Sequence, residues 1–410
     1  MKVLLIGGGG REHAMGWKLA QSPRVDELIS IPGNPGLAEL GPVIEGIGVT
    51  DVGALAAMAR IQGIDLVVVG PEAPLAAGIV DALDRLGVPV FGPSRAAAQL
   101  ESSKRFAKDV MRRAGVPTAE SASFQNPTAA KAHIAGRDGP YVVKADGLAA
   151  GKGVLVTGSR DEAEAWVDHC LDGGFGAAGE SVLIEDYLDG PELSIFAVCT
   201  DGGSIPLEPA RDYKRLLDQD RGPNTGGMGS YSPVADLPDG LVAEVMAAVV
   251  EPTLAQMAED GHPFRGFLYT GLVLTEDGPR VLEFNVRLGD PETQVVLPRL
   301  ESDLIDLLEG GRPVWSDSAA VNVVLAAEGY PTDPKKGAQI RGLDQIPGDV
   351  LVFHAGSRAE GKRVVVDGGR VLDIVGLGDD LSTARNRAYQ AAAGITWPGR
   401  QMRSDIAAQS

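Results

Sequence analysis

The sequence has few cysteines, few aromatic residues and no excess of basic side chains. Its 410 residues include two cysteines, Cys170 and Cys199, and aromatic residues make up 5%. Two isolated cysteines provide neither a disulfide framework nor a cysteine-based zinc site. The 37 basic side chains face 56 acidic ones, giving a net charge of -19. This balance argues against sequence-independent binding to nucleic acid or to an anionic membrane.

Long hydrophobic runs are also lacking, so we expect neither a signal peptide nor a membrane span. The expected location is the cytoplasm, with no nucleic-acid or membrane partner. Hydrophobic residues make up 44% of the chain, as in ordinary globular proteins. A chain of 410 residues is too long for one compact core, and typical domain sizes predict two to four domains.

The most informative stretch is a predicted strand near residue 285. At the two-residue period of a strand, the polar side chains share one face: Glu283, Asn285 and Arg287. The apolar side chains share the other face: Leu282, Phe284 and Val286. A carboxylate and an amide oxygen two residues apart suit Mg²⁺, with Mn²⁺ as an alternative, and the guanidinium suits an oxyanion. The competing interpretation is an amphipathic strand whose polar face is simply solvated.

The strand is followed by a predicted sharp turn at Gly289-Asp290-Pro291-Glu292. Pro291 restricts Asp290 to an extended or turn conformation and suits the first position of a new helix. The polar face of the strand therefore ends where binding sites are often built.

The first hundred residues predict a Rossmann-like domain without the dinucleotide fingerprint. A strand at 3–6, a glycine turn at 7–10 and a helix at 11–21 form an anion site of the strand-turn-helix type. A G-x-G-x-x-G motif begun at Gly7 meets Glu12 at its last position. The next strand, at 28–31, ends without an acidic residue for a ribose hydroxyl. An NAD-dependent oxidoreductase is therefore disfavoured.

Three loops follow successive predicted strands of this domain, at residues 8–12, 33–36 and 70–74. Loops after the strands of an open parallel sheet gather at one edge, so we expect them to line one crevice. The alternative is that their glycines and prolines only turn the chain.

Residues 141–154 predict a flap that closes over phosphates. The apolar strand Tyr141–Lys144 leads into the glycine-rich segment Ala149–Val154. This segment is not a Walker A loop, because Gly153 occupies the position of its Ser or Thr. A strand running into a hinge follows at 181–188. The hinge can offer backbone groups to a purine edge, and Glu192 can contact a ribose.

The rest of the chain predicts a substrate loop and a small closing domain. The loop comprises the polar, glycine-dense residues 211–215 and 223–230. A helical pattern follows at 239–260. Residues 268–274 then form a predicted hairpin with the strand that carries Glu283, Asn285 and Arg287, called the metal strand below. Beyond residue 319 we predict a strand at 321–327, a hairpin of 362–366 with 371–375, and a helix at 381–393. No catalytic constellation appears there, which indicates a packing role, and Gln401–Ser410 is expected to be frayed.

In their order and spacing, these motifs resemble the ATP-grasp superfamily and, within it, the glycinamide ribonucleotide synthetase (phosphoribosylamine-glycine ligase) family. The resemblance is carried by Gly7–His13, Gly33–Gly36, Gly70–Leu75, Val143–Gly153, Gly222–Gly229 and Arg287–Gln294. It implies an α/β protein with three parts. These are a Rossmann-like N-terminal domain (1–102), an ATP-grasp unit (103–318) with a mobile lid at about 116–188, and a small C-terminal α+β domain (319–410).

The resemblance also implies a reaction and a set of site residues. Glycine would be joined to 5-phosphoribosylamine through glycyl phosphate, with ATP converted to ADP and phosphate. Glu283 and Asn285 would hold Mg²⁺, and the catalytic residues would be Arg287, Asp212 and Lys214. The residues expected to bind ATP are Lys104, Lys144, Gly151, Lys152, Gly153, Glu185, Asp186, Tyr187, Leu188 and Glu192. Those expected to bind glycine and the sugar phosphate are Gly9, Gly10, Arg11, Glu12, Asn34, Pro35, Gly36, Gly70, Pro71, Glu72, Asn224, Thr225, Gly226, Gly227, Asp290, Pro291 and Glu292.

Two departures from the family pattern stand out. Arg211-Asp212-Tyr213-Lys214 stands where the family has Gln-Asp-His-Lys, and tyrosine does not change charge near neutrality as histidine does. The strand at 268–274 offers no second carboxylate, so a two-metal site is not supported. Two alternatives stay open: an ATP-grasp ligase for a different acid or amine, and a non-catalytic nucleotide-binding protein on the same fold.

Overall fold

The computed structural model describes residues 1–149 and 153–408. Three residues of the predicted flap, Ala150, Gly151 and Lys152, therefore lie outside the described residues, whereas Gly153 lies within them.

The first part of the chain is a parallel sheet of four strands in the order β2-β1-β3-β4. The strands are β1 (Lys2–Gly7), β2 (Glu27–Pro32), β3 (Leu66–Val69) and β4 (Val90–Phe91). The helices are α1 (Gly10–Leu19), α2 (Leu37–Leu40), α3 (Val52–Ile61), α4 (Glu72–Ala77), α5 (Ile79–Arg85) and α6 (Gln99–Ser102). The strands are continuous apolar runs because both faces of a parallel sheet are covered. The strands predicted at 3–6, 28–31 and 66–69 are confirmed.

The helical pattern of residues 94–114 predicts a single helix, but the structure has two: α7 (Lys104–Ala114) is separate from α6. Ser103 breaks the run with an extended backbone, and its side chain accepts a hydrogen bond from the Phe106 N–H. This N-cap starts α7 at Lys104.

A second, antiparallel sheet lies within the predicted lid and is called the lid sheet; its order is β5-β8-β6-β7. Its strands are β5 (Ser121–Phe124), β6 (Tyr141–Ala145), β7 (Val154–Thr157) and β8 (Val182–Asp186). Helices α8 (Pro127–Ala135) and α9 (Arg160–His169) supply Ile134 and Val167 to a core that they share with Val143 and Ile184 of the sheet. The predicted hairpin around the flap is confirmed by the pairing of β6 with β7.

A third sheet, in the order β10-β9-β15-β16, carries the predicted metal strand at its edge. Its strands are β9 (Glu192–Thr200), β10 (Gly203–Pro206), β15 (Gly266–Thr275) and β16 (Gly278–Asn285). The segment between β10 and β15 contains β11 (Arg211–Asp212), β12 (Arg215–Leu217), β13 (Arg221–Asn224) and β14 (Gly229–Ser232). The helices here are α10 (Leu241–Val245), α11 (Glu251–Glu259), α12 (Thr293–Val296) and α13 (Leu304–Leu308). The predicted hairpin of β15 with β16 is confirmed.

The alternation predicted for the metal strand is wrong at one position. The β15–β16 register shifts so that Gly271 faces Glu283 and Leu272 faces Val281, which leaves Leu282 as a bulge. The fully buried apolar side chains are therefore Val281, Phe284 and Val286, and Leu282 is only half-buried. The polar alternation from Glu283 onward is unaffected.

One helical run, Leu241–Glu259, is long and apolar enough by length and composition to span a bilayer, with a mean hydropathy of 1.4. The sequence predicted no such run. Its side chains Val245, Val249 and Val250 are packed in the main core of the molecule. The run is thus accounted for as a core helix.

The last part of the chain builds a sheet together with strands from the predicted substrate loop, in the order β11-β14-β17-β21-β18. The remaining strands are β17 (Ala319–Ala326), β18 (Val350–His354), β19 (Ser357–Glu360), β20 (Arg363–Val366) and β21 (Arg370–Gly378), and the last helix is α14 (Leu381–Gly394). The predicted hairpin of 362–366 with 371–375 is wrong. β20 pairs with β19, and β21 pairs with β17 and β18.

Candidate active site

The predicted metal ligands lie side by side at the end of β16. Asn285 Nδ2 is 3.5 Å from Glu283 Oε1, and Asn285 Oδ1 accepts a hydrogen bond of 3.1 Å from Arg287 Nη2. All three polar side chains are therefore on one face, as the two-residue period predicted. The solvated-face interpretation is disfavoured, because Asn285 is buried and Glu283 and Arg287 are half-buried.

The electrostatic surroundings keep Glu283 ionised. Burial alone would raise the pKa of Glu283, but the nearby Lys214, Lys144 and Lys104 hold it below its usual value. A carboxylate beside an amide oxygen fits Mg²⁺, which needs few protein ligands when phosphates and waters complete its shell. Among the residues described, no group of three or more His, Cys, Asp or Glu side chains could hold a metal ion. Such an ion would thus rely on Glu283 and Asn285.

Lysines from the lid and from α7 face this carboxylate. Lys144 on β6 pairs with Glu185 on β8 at 2.9 Å, with only 3% and 2% of their side chains exposed, and donates to the Leu282 backbone oxygen at 3.3 Å. That oxygen belongs to the bulge of the metal strand. Lys104 Nζ donates to the Gly147 oxygen at 3.1 Å, and burial lowers the pKa of Lys104. The face of the lid sheet opposite its apolar core is therefore lined with cations.

A further lysine, Lys108, joins this group and was missed by the sequence analysis. Its Nζ lies 3.4 Å from Glu185 Oε2 and donates to Thr118 Oγ1 at 2.8 Å. Burial lowers the pKa of Lys108 to about 8. The available signal was its position four residues after Lys104 on α7, which puts both on one helix face.

The predicted hinge follows β8. Glu185 directs its carboxylate to Lys144 and Lys108, Asp186 pairs with Arg137, and the Tyr187 side chain is exposed. Glu192, predicted to contact a ribose, accepts a short hydrogen bond from Lys214. The lysine therefore links the predicted ATP and substrate residues.

Arg287 joins the metal strand to the first domain. Its guanidinium lies 3.2 Å from Glu72 and 3.1 Å from Glu101. Burial would raise the pKa of Glu72, but Arg287 and Arg11 hold it at about 2. Burial raises the pKa of Glu101 to about 7 even beside this arginine. Glu101 carried no sequence signal, since it lies in an unremarkable helical pattern.

The three N-terminal loops converge as predicted, and Glu12 packs among them. Its carboxylate accepts hydrogen bonds from the Gly9 N–H at 2.7 Å and from Arg11 Nε at 2.5 Å. Gly7 has φ +132°, and a Cβ at Gly7 or Gly70 would collide with the Glu12 side chain. These glycines are therefore required by close packing around a buried carboxylate.

Asn34 holds the second loop against the first loop and against the C-terminal domain. Its Nδ2 donates to the Gly8 oxygen at 3.0 Å and to the His354 oxygen at 2.7 Å, and its Oδ1 accepts from the Leu37 N–H at 2.9 Å. Because its polar atoms are engaged with the backbone, Asn34 shapes the crevice. Gly36 packs directly against the His13 ring. Pro35 lies between Asn34 and Gly36 in the sequence.

Asp212, Lys214 and the Asn224–Gly227 loop form another wall. Burial, with Glu292 and Glu192 nearby, raises the pKa of Asp212 to about 7, although Lys214 opposes this. Burial would lower the pKa of Lys214, but Asp212 and Glu192 hold it above its usual value. Thr225 ties the loop to the same strand, because its N–H and its hydroxyl both donate to the Lys214 oxygen, at 2.7 and 2.9 Å.

The C-terminal domain supplies polar groups to this wall, which corrects the expectation that it only packs. Arg370 donates to the Gly226 oxygen at 2.6 Å and to the Asp290 oxygen at 2.8 Å, and it pairs with the Asp290 carboxylate at 2.8 Å. The Gly226 N–H donates to the Tyr330 hydroxyl at 2.9 Å. No motif marked these residues, because they come together only through the shared sheet.

The turn after the metal strand is fixed by buried polar contacts. Its helix, α12, begins at Thr293, two residues later than Pro291, which the sequence had suggested as the first helical position. Gln294 donates to Asp290 Oδ1 at 2.8 Å, and Ser194 donates to Glu292 Oε1 at 3.0 Å. Ser230 donates to the Pro291 oxygen at 2.7 Å.

Asp373 on β21 lies close to Asp290 of this turn. Burial and the nearby Asp290 raise the pKa of Asp373 to about 7. Asn322 donates to its Oδ1 at 2.9 Å, and a Cβ at Gly10 would collide with its Oδ2. Among the described residues, nothing hydrogen-bonds the buried Gln294 Oε1.

We expect Asp373→Asn to gain stability relative to the wild type as the pH rises. A carboxyl whose folded pKa lies above its unfolded value destabilises the fold progressively between about pH 4 and pH 7, and the loss is constant above that. At pH 8 the relative gain should be at most about 4 kcal/mol, which is the free energy that corresponds to a shift of about three pH units. Urea unfolding of both proteins at pH 5, 6.5 and 8 measures it. Parallel stability curves would contradict the assignment.

Three family models match the chain in succession. Residues 1–101 match the phosphoribosylglycinamide synthetase N domain, residues 102–293 its ATP-grasp (A) domain, and residues 320–409 its C domain. A Brucella melitensis protein called phosphoribosylamine-glycine ligase is 50% identical over 416 residues, covering 99% of this chain and 97% of its own.

Solved structures give the same picture. A crystal structure of phosphoribosylamine-glycine ligase from Thermotoga maritima is 35% identical, with a TM-score of 0.85, and the match covers 99% of this chain and 100% of that one. The biotin carboxylase domain of Hydrogenobacter thermophilus 2-oxoglutarate carboxylase has a TM-score of 0.75 at 17% identity, covering 98% and 91%. The latter likeness extends to the fold alone.

Proposed function

The chain belongs to the phosphoribosylglycinamide synthetase family, and from this premise we propose how its residues carry out the family's reaction. The protein is an ATP-dependent carbon-nitrogen ligase that joins glycine to 5-phosphoribosylamine, giving glycinamide ribonucleotide, ADP and phosphate in purine biosynthesis. The assignment of residues rests chiefly on one observation, the cluster of three lysines that keeps Glu283 ionised.

The chemistry requires an activated carboxylate. Glycine offers a carboxylate, which is a poor electrophile, so the γ-phosphoryl group of ATP is first transferred to it to form glycyl phosphate. The amine of phosphoribosylamine then attacks the carbonyl carbon, and phosphate leaves. Transfer of a phosphoryl group depends mainly on positioning and charge neutralisation. Bound Mg²⁺ would neutralise phosphate charge from its place beside Glu283 and Asn285.

We assign ATP to the space between the lid sheet and the metal strand. Lys144, Lys104 and Lys108 would contact the phosphates, because each is a buried or half-buried lysine near Glu283 or Glu185. The backbone of residues 185–188 would hold the adenine, and Glu192 would face the ribose. Gly151, Lys152 and Gly153 would cover the phosphates as part of the lid, since an acyl phosphate exposed to water would hydrolyse.

We assign glycine and the amine to the wall opposite the lid. Arg287 would lie near the transferred phosphoryl group and the glycine carboxylate, and Asp212, Lys214 and residues 224–227 would orient glycine and the amine. The raised pKa of Asp212 suits a group that exchanges a proton with an amine. The sugar phosphate would occupy the crevice of the three N-terminal loops, bounded by the turn at 290–292.

Omitting one substrate at a time tests the reaction. ADP release should require both glycine and phosphoribosylamine, because productive phosphoryl transfer ends in the amide. A second measurement tests the intermediate: glycine labelled with ¹⁸O in its carboxylate should deliver one labelled oxygen to the released phosphate. Turnover that ignores either substrate would refute the assignment, and unlabelled phosphate would refute glycyl phosphate.

We propose domain boundaries at about residues 102 and 318, with the lid at about 116–188. We also propose that the enzyme works in the cytoplasm, supported by its two unpaired, buried cysteines, Cys170 and Cys199, a pattern typical of reducing compartments.

A further inference from the structure

The C-terminal segment Arg403–Ala407 is packed against the fold, with Arg403, Ile406 and Ala407 buried, although the sequence predicted fraying from residue 401. The Arg403 side chain is only 1% exposed, and Ile406 is fully buried. Helix α14 holds one side of the segment: Arg385 donates to the Ser404 oxygen at 2.7 Å, and Tyr389 donates to the Arg403 oxygen at 3.0 Å. The segment is thus part of the fold.

The other side of the segment contacts the β12–β13 hairpin, which lies between Lys214 and the Asn224–Gly227 loop. Arg403 donates to the Arg215 oxygen at 3.1 Å and pairs with Asp220 at 2.7 Å. The Ser404 N–H donates to Asp218 Oδ1 at 2.8 Å, and Asp405 Oδ2 accepts from the Gln219 N–H at 2.8 Å. These contacts hold the whole tip of the hairpin.

The tip of the hairpin, residues 218–220, has a backbone conformation that needs such support. Gln219 and Asp220 both have left-handed backbones, with φ of 60° and 51°. Such a backbone costs a residue other than glycine about 1–2 kcal/mol. The segment Arg403–Ala407, called the tail below, contacts both residues: Asp405 accepts from the Gln219 N–H, and Arg403 donates to Asp220.

Tyr213, the residue that departs from the family pattern, also contacts the tail. The Arg403 guanidinium carbon lies 4.8 Å from the centre of its ring, and its hydroxyl accepts a hydrogen bond of 2.9 Å from the Ala407 N–H. Its backbone bonds to Gly229 and Met228 set the strand that carries Asp212 and Lys214. This side chain therefore docks the tail.

We propose that the segment Arg403–Ala407 is a clamp that positions the substrate loop, with Arg403 and Tyr213 as its positioning residues. The clamp holds the first residue of β12 and the tip of the β12–β13 hairpin, so that Lys214 and the Asn224–Gly227 loop keep their geometry relative to Asp212. The inference rests on the proposed function, which assigns that loop to glycine and the amine.

Arg403→Ala tests the clamp. We expect the KM values for glycine and phosphoribosylamine to rise about tenfold, because small displacements of positioning groups have large effects. The dissociation constant of a non-hydrolysable ATP analogue should stay within about twofold, since the lid and metal strand are untouched. A purely structural defect would lower kcat by reducing the active fraction, with KM unchanged. Both KM values within about twofold of wild type would overturn the proposal.

Two further variants sharpen the test. Arg400→Ala is the matched control, because Arg400 bonds to the backbone oxygens of Ala392 and Ile395 at the end of α14, away from the loop. It should leave both KM values unchanged. Adding Gln219→Asn and Asp220→Gly to Arg403→Ala should lower both KM values most of the way back to those of the wild type. Asparagine and glycine tolerate left-handed backbones without help from the segment. Absence of any rescue would contradict a positioning role.

If Arg403→Ala does not fold, Tyr213→Phe replaces it, because only the hydroxyl bonded to Ala407 is lost. Its KM for glycine should rise at least about threefold, and an unchanged KM would overturn the proposal. Failure of the proposed function looks different: the wild-type enzyme itself would then show no ADP release that depends on glycine and phosphoribosylamine.

Discussion

Replacing Glu283 with glutamine should lower turnover at least about a thousandfold, while the fold survives. The substitution keeps the shape but removes the negative charge that faces Lys214, Lys144 and Lys104. A bound metal contributes several kcal/mol to the stabilisation of developing charge, and about 4 kcal/mol corresponds to this factor. Steady-state ADP release measures the loss. Magnesium titration should show a weakened apparent affinity for the metal, and excess magnesium should partly restore turnover.

The matched control is Glu276→Gln, an exposed glutamate in the turn of the same β15–β16 hairpin. It changes the net charge equally and should leave turnover unchanged. The thermal unfolding temperature without ligands should be unchanged for the exposed Glu276→Gln. It should fall only slightly for Glu283→Gln, because the lowered pKa of Glu283 means that its charge stabilises the fold. Wild-type turnover in Glu283→Gln would place the metal elsewhere and remove the basis of the ATP assignment.

The sequence predicted the elements of this site better than their connections. The periodic polar face of β16 and the flap hairpin were predictable, because alternation and glycine placement are local signals. The bulge at Leu282 was not, since it depends on the partner strand β15. That bulge leaves the Leu282 oxygen free to accept from Lys144, so a register irregularity helps to bring the lid lysine to the metal strand.

The contribution of the C-terminal domain was hidden for the same reason. Asp373, Arg370 and Arg403 lie in segments whose local patterns read as ordinary strand or tail. They reach the site because β11 and β14, which flank the substrate loop, join the sheet of the last domain through β17. Strand pairing between segments about ninety residues apart leaves no local signal, since register is set by the partner strand and its buried face.

Replacing Arg287 with methionine should destabilise the protein by about 3–5 kcal/mol and abolish turnover. Methionine keeps much of the volume but leaves Glu72 and Glu101 without their cation, and removing one partner of a buried ion pair has an effect of this size. Urea unfolding measures it. Arg280→Met on the same strand is the control, because its pair with the exposed Asp277 spans 3.7 Å and surface pairs contribute about 0–1 kcal/mol.

The pH dependence separates loss of charge from loss of packing in this variant. In the wild type, the pKa of Glu72 is held at about 2, so this carboxylate stabilises the fold above its unfolded pKa and loses that effect as the pH falls towards 2. Without Arg287, burial should raise the pKa of both Glu72 and Glu101, and the folded state should then bind more protons than the unfolded chain. The deficit of Arg287→Met should therefore be smaller at pH 5 than at pH 8. A deficit independent of pH would indicate that Arg287 acts mainly by packing, and that the two carboxylates are neutralised by other groups.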